Sequence, residues 1–172
     1  MNVESLPYLF HIEFTDSWTH KSKGVFVDPN GTEYRYKDTD GWKSFLEAKE
    51  TNLNDTMDID AETYFANIKI VIKPELLFHN LSLCRTKKPF TSWFSKNKVV
   101  VSDEIIKDLM TSEVVRTSDF IIHDAPTTTY SLLVYDGVSG CYKEIHLSST
   151  HYRGTKNSSV YTDSLVAKFP RL

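Results

Sequence analysis

Residues 119–147, DFIIHDAPTTTYSLLVYDGVSGCYKEIHL, decide the fold. Phe120-Ile121-Ile122 is a short apolar run. Tyr130–Tyr135 is almost wholly apolar, the signature of a strand covered on both faces. Asp136-Gly-Val-Ser-Gly140 is a short connection with two glycines and reads as a hairpin turn. Cys141–Leu147 then alternates. Cys141, Ile145 and Leu147 share one face, and Tyr142, Glu144 and His146 the other. These strands are the expected middle of a sheet that other elements cover.

Working outward, Tyr8–Phe14 alternates in the same way, with Tyr8, Phe10, Ile12 and Phe14 opposite Leu9, His11 and Glu13. Gly24–Asp28 and Thr32–Lys37 form two arms around Asp28-Pro-Asn-Gly31, a turn with Pro at its second position and Gly at its last. A helix is expected from about Gly41 to Glu50 behind an Asp40 cap, with Trp42, Phe45, Leu46 and Lys49 on one stripe. A second is expected from Ala61 to Lys73, stopped by Pro74, although the β-branched run Ile68–Ile72 suits a strand as well. Leu81–Cys84 is a candidate strand, Arg85–Lys98 an irregular segment, and Val99–Val101 a short strand or lead-in. Ser102 caps a helix over Asp103–Met110 with Ile105, Ile106, Leu109 and Met110 inward. Ser148–Asn157 is polar. Ser158 or Ser159 then opens a last helix to Phe169, carrying the stripe Tyr161, Leu165, Val166 and Phe169. The sum is an α+β fold, a mainly antiparallel sheet with about three to four helices packed on it, in one globular domain spanning residues 1–172.

The bulk composition is that of a globular protein: 40% hydrophobic, 25% charged, and net charge −3. No signal peptide or membrane-spanning run is read in the sequence, and Cys84 and Cys141 lack C-x-x-C spacing. The expectation is a cytoplasmic chain with two buried free thiols. Four N-x-[ST] triplets, at Asn30, Asn54, Asn80 and Asn157, are then chance occurrences.

Charge is unevenly spread. Residues 38–62 hold eight acids (Asp38, Asp40, Glu47, Glu50, Asp55, Asp58, Asp60 and Glu62) against Lys43 and Lys49, a net of −6. Residues 85–98 hold Arg85, Lys87, Lys88, Lys96 and Lys98 with no acid, a net of +5, interleaved with Phe90, Trp93 and Phe94. Such asymmetry suits charge-steered recognition of a partner. The basic–aromatic segment is an alternative contact patch of the kind that stacks bases, although no nucleic-acid-binding motif accompanies it.

Catalytic signatures are sparse. His123-Asp124, with His146, His151 or Asp136, is a candidate acid–base set for a hydrolase or nuclease, but no G-x-S-x-G elbow or paired-carboxylate motif occurs. His79 with Cys84, and His146 with His151, do not complete a zinc set. Asp55, Asp58, Asp60 and Glu62 lack the Gly and the final carboxylate of a calcium loop. No phosphate-cradling Gly motif is present. The expectation is therefore no metal and no cofactor.

Gly24, Asp28-x-x-Gly31, Tyr34-x-Tyr36 and then Trp42 opening a helix resemble the front end of small bacterial proteins, immunity proteins that accompany toxins among them. The resemblance covers residues 8–42. It implies a non-enzymatic protein-binding module, in its most specific form an inhibitor that occludes a cognate basic toxin. The acidic run 38–62 would then be the partner-binding face.

Overall fold

The structure is a computed structural model, and it describes residues 6–16, 18–19, 21–37, 71–87, 100–117, 126–150 and 154–169. Within these residues nine strands make one sheet. They are β1 (Tyr8–Thr15), β2 (Ser22–Val27), β3 (Glu33–Lys37), β4 (Val71–Ile72), β5 (Arg85–Lys87), β6 (Val114–Arg116), β7 (Thr127–Asp136), β8 (Cys141–Ser149) and β9 (Thr155–Asn157). Three helices accompany them: α1 (Pro74–Leu83), α2 (Asp103–Thr111) and α3 (Thr162–Val166). The strand order is β5-β3-β2-β1-β7-β8-β9-β6, with β4 paired separately to β8. Every pairing is antiparallel. The architecture is α+β with the sheet dominant, and the helices stand at the low end of the number expected.

Strand β7 runs through the middle, between β1 and β8. Its neighbours Leu132 and Leu133 point to opposite faces and are both fully buried. One face gathers Phe10, Ile12, Val25, Leu132, Ile145 and Leu147 under α2 and α3, which contribute Leu109 and Leu165. The other gathers Leu9, Phe26, Tyr36, Leu133 and Tyr142 under α1, which contributes Leu77 and Leu81. The expected two-sided cover of Tyr130–Tyr135 is therefore present. So is the alternation of Tyr8–Phe14.

Both predicted turns form. The Gly31 N–H donates to the Asp28 carbonyl at 2.8 Å, and the Asp28 carboxylate accepts from the N–H groups of Asn30 and Thr32 at 2.9 and 2.8 Å. In the β7–β8 hairpin Gly140 takes φ +67°, a left-handed conformation that a Cβ disfavours, and its N–H reaches the Asp136 carbonyl at 2.8 Å. Ser102 caps α2, accepting from the Ile105 N–H at 3.4 Å.

Elsewhere tertiary pairing overrides the local pattern. Val71–Ile72, read as the end of a helix with a strand as the alternative, takes the alternative as strand β4, its β-branched pair finding Lys143 and Tyr142 of β8. Leu81–Cys84 is not a strand: Pro74 at the first helical position starts α1, which runs through Leu83. Arg85–Lys87 is not irregular but pairs with β3. Val100 and Val101 lie outside the sheet, although Val101 is buried. Met110 does not face inward; it is 53% exposed. The polar stretch before the last helix contains β9, which pairs with both β8 and β6. The last helix is only Thr162–Val166, yet Tyr161, Leu165, Val166 and Phe169 all pack on the core as the stripe predicts. Cys84 and Cys141 are free but half-buried rather than buried. The expected helices at 41–50 and 61–70 and the run Phe120–Ile122 lie outside the described residues.

Candidate functional site

Two places bring chemistry-bearing side chains together. The first is a polar row across the face under α1. Sheet register sets His11 beside Ser131, and Ser131 beside His146. His11 is buried, stacks on Phe26 with ring centroids 4.2 Å apart, and meets the Tyr36 hydroxyl through Nε2 at 2.8 Å. Burial first, then the negative charge of Glu13, holds the Tyr36 phenol well above its ordinary value. His146 Nε2 lies 3.0 Å from the Thr155 hydroxyl, and burial pushes its imidazole down to about 4. It is neutral at pH 7, far from the poise a general base needs there. Ser131 is 1% exposed, and its Oγ has no hydrogen-bond partner among the described residues. His11 and Ser131 are thus buried within the fold, and His146 at the end of the row is half-buried.

Asp136 does not join His146. It sits in the β7–β8 turn, bound by Lys143 at 2.7 Å, the Ser139 hydroxyl and the Val138 N–H, which hold its carboxyl down to about 2. His146 is five positions along β8 from Cys141, about 17 Å at strand rise. His123, Asp124 and His151, the remaining members of the predicted acid–base set, lie outside the described residues. No group of three or more His, Cys, Asp or Glu among the described residues is arranged to hold a metal.

The second place is a corner of the sheet formed by β2, β3 and β5. Three basic pairs at i, i+2 spacing meet there: Lys21-Ser-Lys23, Arg35-Tyr-Lys37 and Arg85-Thr-Lys87. A period of two puts both members of the β3 pair and of the β5 pair on one face, and Lys21 stands two positions before Lys23 at the entry to β2. Register then aligns the strands: Lys23 faces Lys37, Arg35 faces Arg85, and Lys87 faces Glu33. Arg35 is also opposite Val25, which belongs to the core under α2 and α3, so the cations share that face. Beyond the core the face passes to solvent. Lys21, Lys23, Lys37, Arg85 and Lys87 are exposed, and the Arg35 side chain is 38% exposed.

Among the described residues, six cations thus share a stripe with one carboxylate, Glu33, which binds Arg35 at 2.7 Å. Successive rows are two residues apart and strands about 4.8 Å apart, so the diagonal from Lys21 to Lys87 is about 20 Å long. Like charges directly opposite on neighbouring strands oppose folding, each by about 0.2–1 kcal/mol. The corner carries two such pairs, Lys23 with Lys37 and Arg35 with Arg85. Lys23 also sits over the Phe14 ring, 4.9 Å from its centroid. At the same end of the β1–β2 hairpin, Trp18 is 77% exposed. Its backbone N–H donates to the Asp16 carboxylate at 2.9 Å, and the Asp16 backbone N–H to the Lys21 carbonyl at 3.0 Å.

No family model, curated protein or solved structure matches this chain. The site rests on its geometry.

Of the predicted contact residues, Arg85 and Lys87 are in this stripe. Lys88, Phe90, Trp93, Phe94, Lys96 and Lys98 lie outside the described residues, as do Asp38, Asp40, Glu47, Glu50, Asp55, Asp58, Asp60 and Glu62. Lys21, Lys23, Arg35 and Lys37 escape a count of charge along contiguous segments, because each pair comes from a different part of the chain. The repeated i, i+2 spacing of cations within strands is the signal that finds them. No helix among the described residues is long and apolar enough to cross a membrane.

Proposed function

We propose that this protein is a non-enzymatic binding module that takes a polyanionic partner along the stripe from Lys21 to Lys87. The observation that carries the reading is the facing of like charges, Lys23 with Lys37 and Arg35 with Arg85, on an exposed sheet face. A fold that tolerates this repulsion places positive charge where an anionic partner can offset it.

Heparin serves as a generic polyanion for the test. The wild-type chain should bind it with an affinity that falls steeply with salt. Lys23→Glu/Lys37→Glu should weaken binding about tenfold or more and flatten the salt dependence. The same double variant still sets two like charges opposite each other, now negative among the remaining cations of the stripe, so it should melt close to wild type by circular dichroism. Unchanged heparin affinity in a folded variant would remove the stripe as the contact surface.

The acidic run 38–62, net −6, favours a second contact, with a basic protein partner, and the resemblance over residues 8–42 makes an immunity-type inhibitor its specific form. Charge reversal at Asp55, Asp58 and Asp60 should then slow association with a basic partner captured from the host, and reduce the salt dependence of that rate. An association rate at low salt equal to wild type would end this second reading.

A further inference from the structure

Resting on the polyanion reading, we infer that the stripe's partner is a single-stranded nucleic acid, with a base stacked on Trp18 while its phosphates follow the lysines and arginines. Three features select this occupant over an acidic protein segment. The first is shape. An open sheet face about 20 Å long, with cations recurring at every second residue, tracks an extended phosphate chain of a few nucleotides. The second is Trp18. A large ring that is 77% exposed contributes little to the core, and it is held on a turn closed by Asp16 rather than on a loose tail. Exposed aromatic surface beside positive charge stacks any base without regard to sequence. The third is composition along the stripe. Arg85 offers a planar guanidinium group suited to phosphate, and Glu33, the one carboxylate in the stripe among the described residues, is already engaged by Arg35.

Alternation places Phe14 on the same face as Lys23, and the cation over its ring joins the aromatic end of the hairpin to the charged end. A strand entering at Trp18 would pass Lys21 and Lys23, cross to Lys37 and Arg35, and leave by Arg85 and Lys87.

Fluorescence anisotropy with a fluorescein-labelled dodecathymidylate tests the inference on the full chain, with labelled poly-L-glutamate as the second probe. Trp18→Ala should weaken dodecathymidylate binding about tenfold and leave poly-L-glutamate binding unchanged, and Trp18→Phe should recover most of the loss. The logarithmic salt dependence for the oligonucleotide should have a slope of about −3, as four or five phosphate contacts on a single strand require. If Trp18→Ala binds the oligonucleotide like wild type, stacking on Trp18 is overturned. If poly-L-glutamate binds tightly and the oligonucleotide does not, the partner is an acidic protein; the nucleic-acid inference falls and the polyanion reading stands. If neither binds, both fall.

Discussion

Replacing Gly24 by alanine is expected to destabilise the protein by about 3 kcal/mol, the upper end of the usual overpacking cost. Gly24 lies in β2, between Glu13 of β1 and Tyr36 of β3. The Tyr36 ring lies across it, so a Cβ there would overlap the Tyr36 Cζ and hydroxyl and sit 2.5 Å from the Ile12 carbonyl oxygen. A ring can sometimes swing away. This one is tied to His11 through its hydroxyl and packed on Phe26, and the Ile12 oxygen is backbone that cannot rotate aside. Relief therefore breaks the buried Tyr36–His11 hydrogen bond or displaces β2 from β1. At about 2–4 °C per kcal/mol for a chain of this size, the melting temperature should fall by about 6–12 °C. Gly137→Ala is the control, because a Cβ at Gly137 meets nothing within 4 Å. Urea denaturation of the two variants decides it; equal stabilities would mean that Tyr36 does not occupy the space above Gly24. The same substitution should weaken heparin binding. Tyr36 stands between Arg35 and Lys37, and moving β3 disturbs the register that lines up the stripe.

This glycine shows how the sequence divides into legible and illegible parts. The alternation of Tyr8–Phe14, the Asp28-Pro-Asn-Gly31 turn and the apolar run of Tyr130–Tyr135 are local signals, and the sheet they imply is present. Gly24 carries no such signal, since the ring that demands it arrives from another strand. The same holds for β5 and β6, strands of three residues whose identity comes from the partner they pair with, whereas β4 ends a β-branched run that suits a strand. Short segments have little intrinsic strand preference, and the neighbouring strand decides. The candidate site follows this rule. Residues 85–98 stand out because their charges are contiguous. Lys21, Lys23, Arg35 and Lys37 stand out only after register brings three strands side by side. His146 was visible as a candidate acid–base residue, but its desolvation and its bond to Thr155 are products of packing.

Asn157→Ala is expected to cost about 3 kcal/mol for a reason that no inspection of residues near Asn157 in the chain would suggest. Its side chain is 2% exposed and joins three elements. Nδ2 donates to the Leu109 carbonyl of α2 at 2.9 Å and to the His146 carbonyl of β8 at 3.2 Å, while Oδ1 accepts from the Ser159 N–H at 2.9 Å. Leu109 is within the last turn of α2, where carbonyls have no intrahelical donor. His146 lies on the edge of β8 between the residues paired with β4 and those paired with β9. Asn157 thus fills two gaps left by regular hydrogen bonding and fixes α2 over the core. Alanine would leave buried carbonyls and an N–H unsatisfied, at about 1–3 kcal/mol for each group that cannot find water. Asn157→Asp separates this account from simple loss of volume. It keeps the size and the acceptor for Ser159, but it turns a carboxylate toward two carbonyl oxygens. The aspartate variant should therefore be at least as unstable as the alanine one at neutral pH, measured by urea denaturation. Near-wild-type stability for Asn157→Asp would show that the amide nitrogen is not donating. The stripe lies at the other side of the sheet, so both variants should keep heparin affinity below their melting temperatures, in contrast to Gly24→Ala. That contrast tests whether the binding surface belongs to the β2–β3–β5 corner or depends on the fold as a whole.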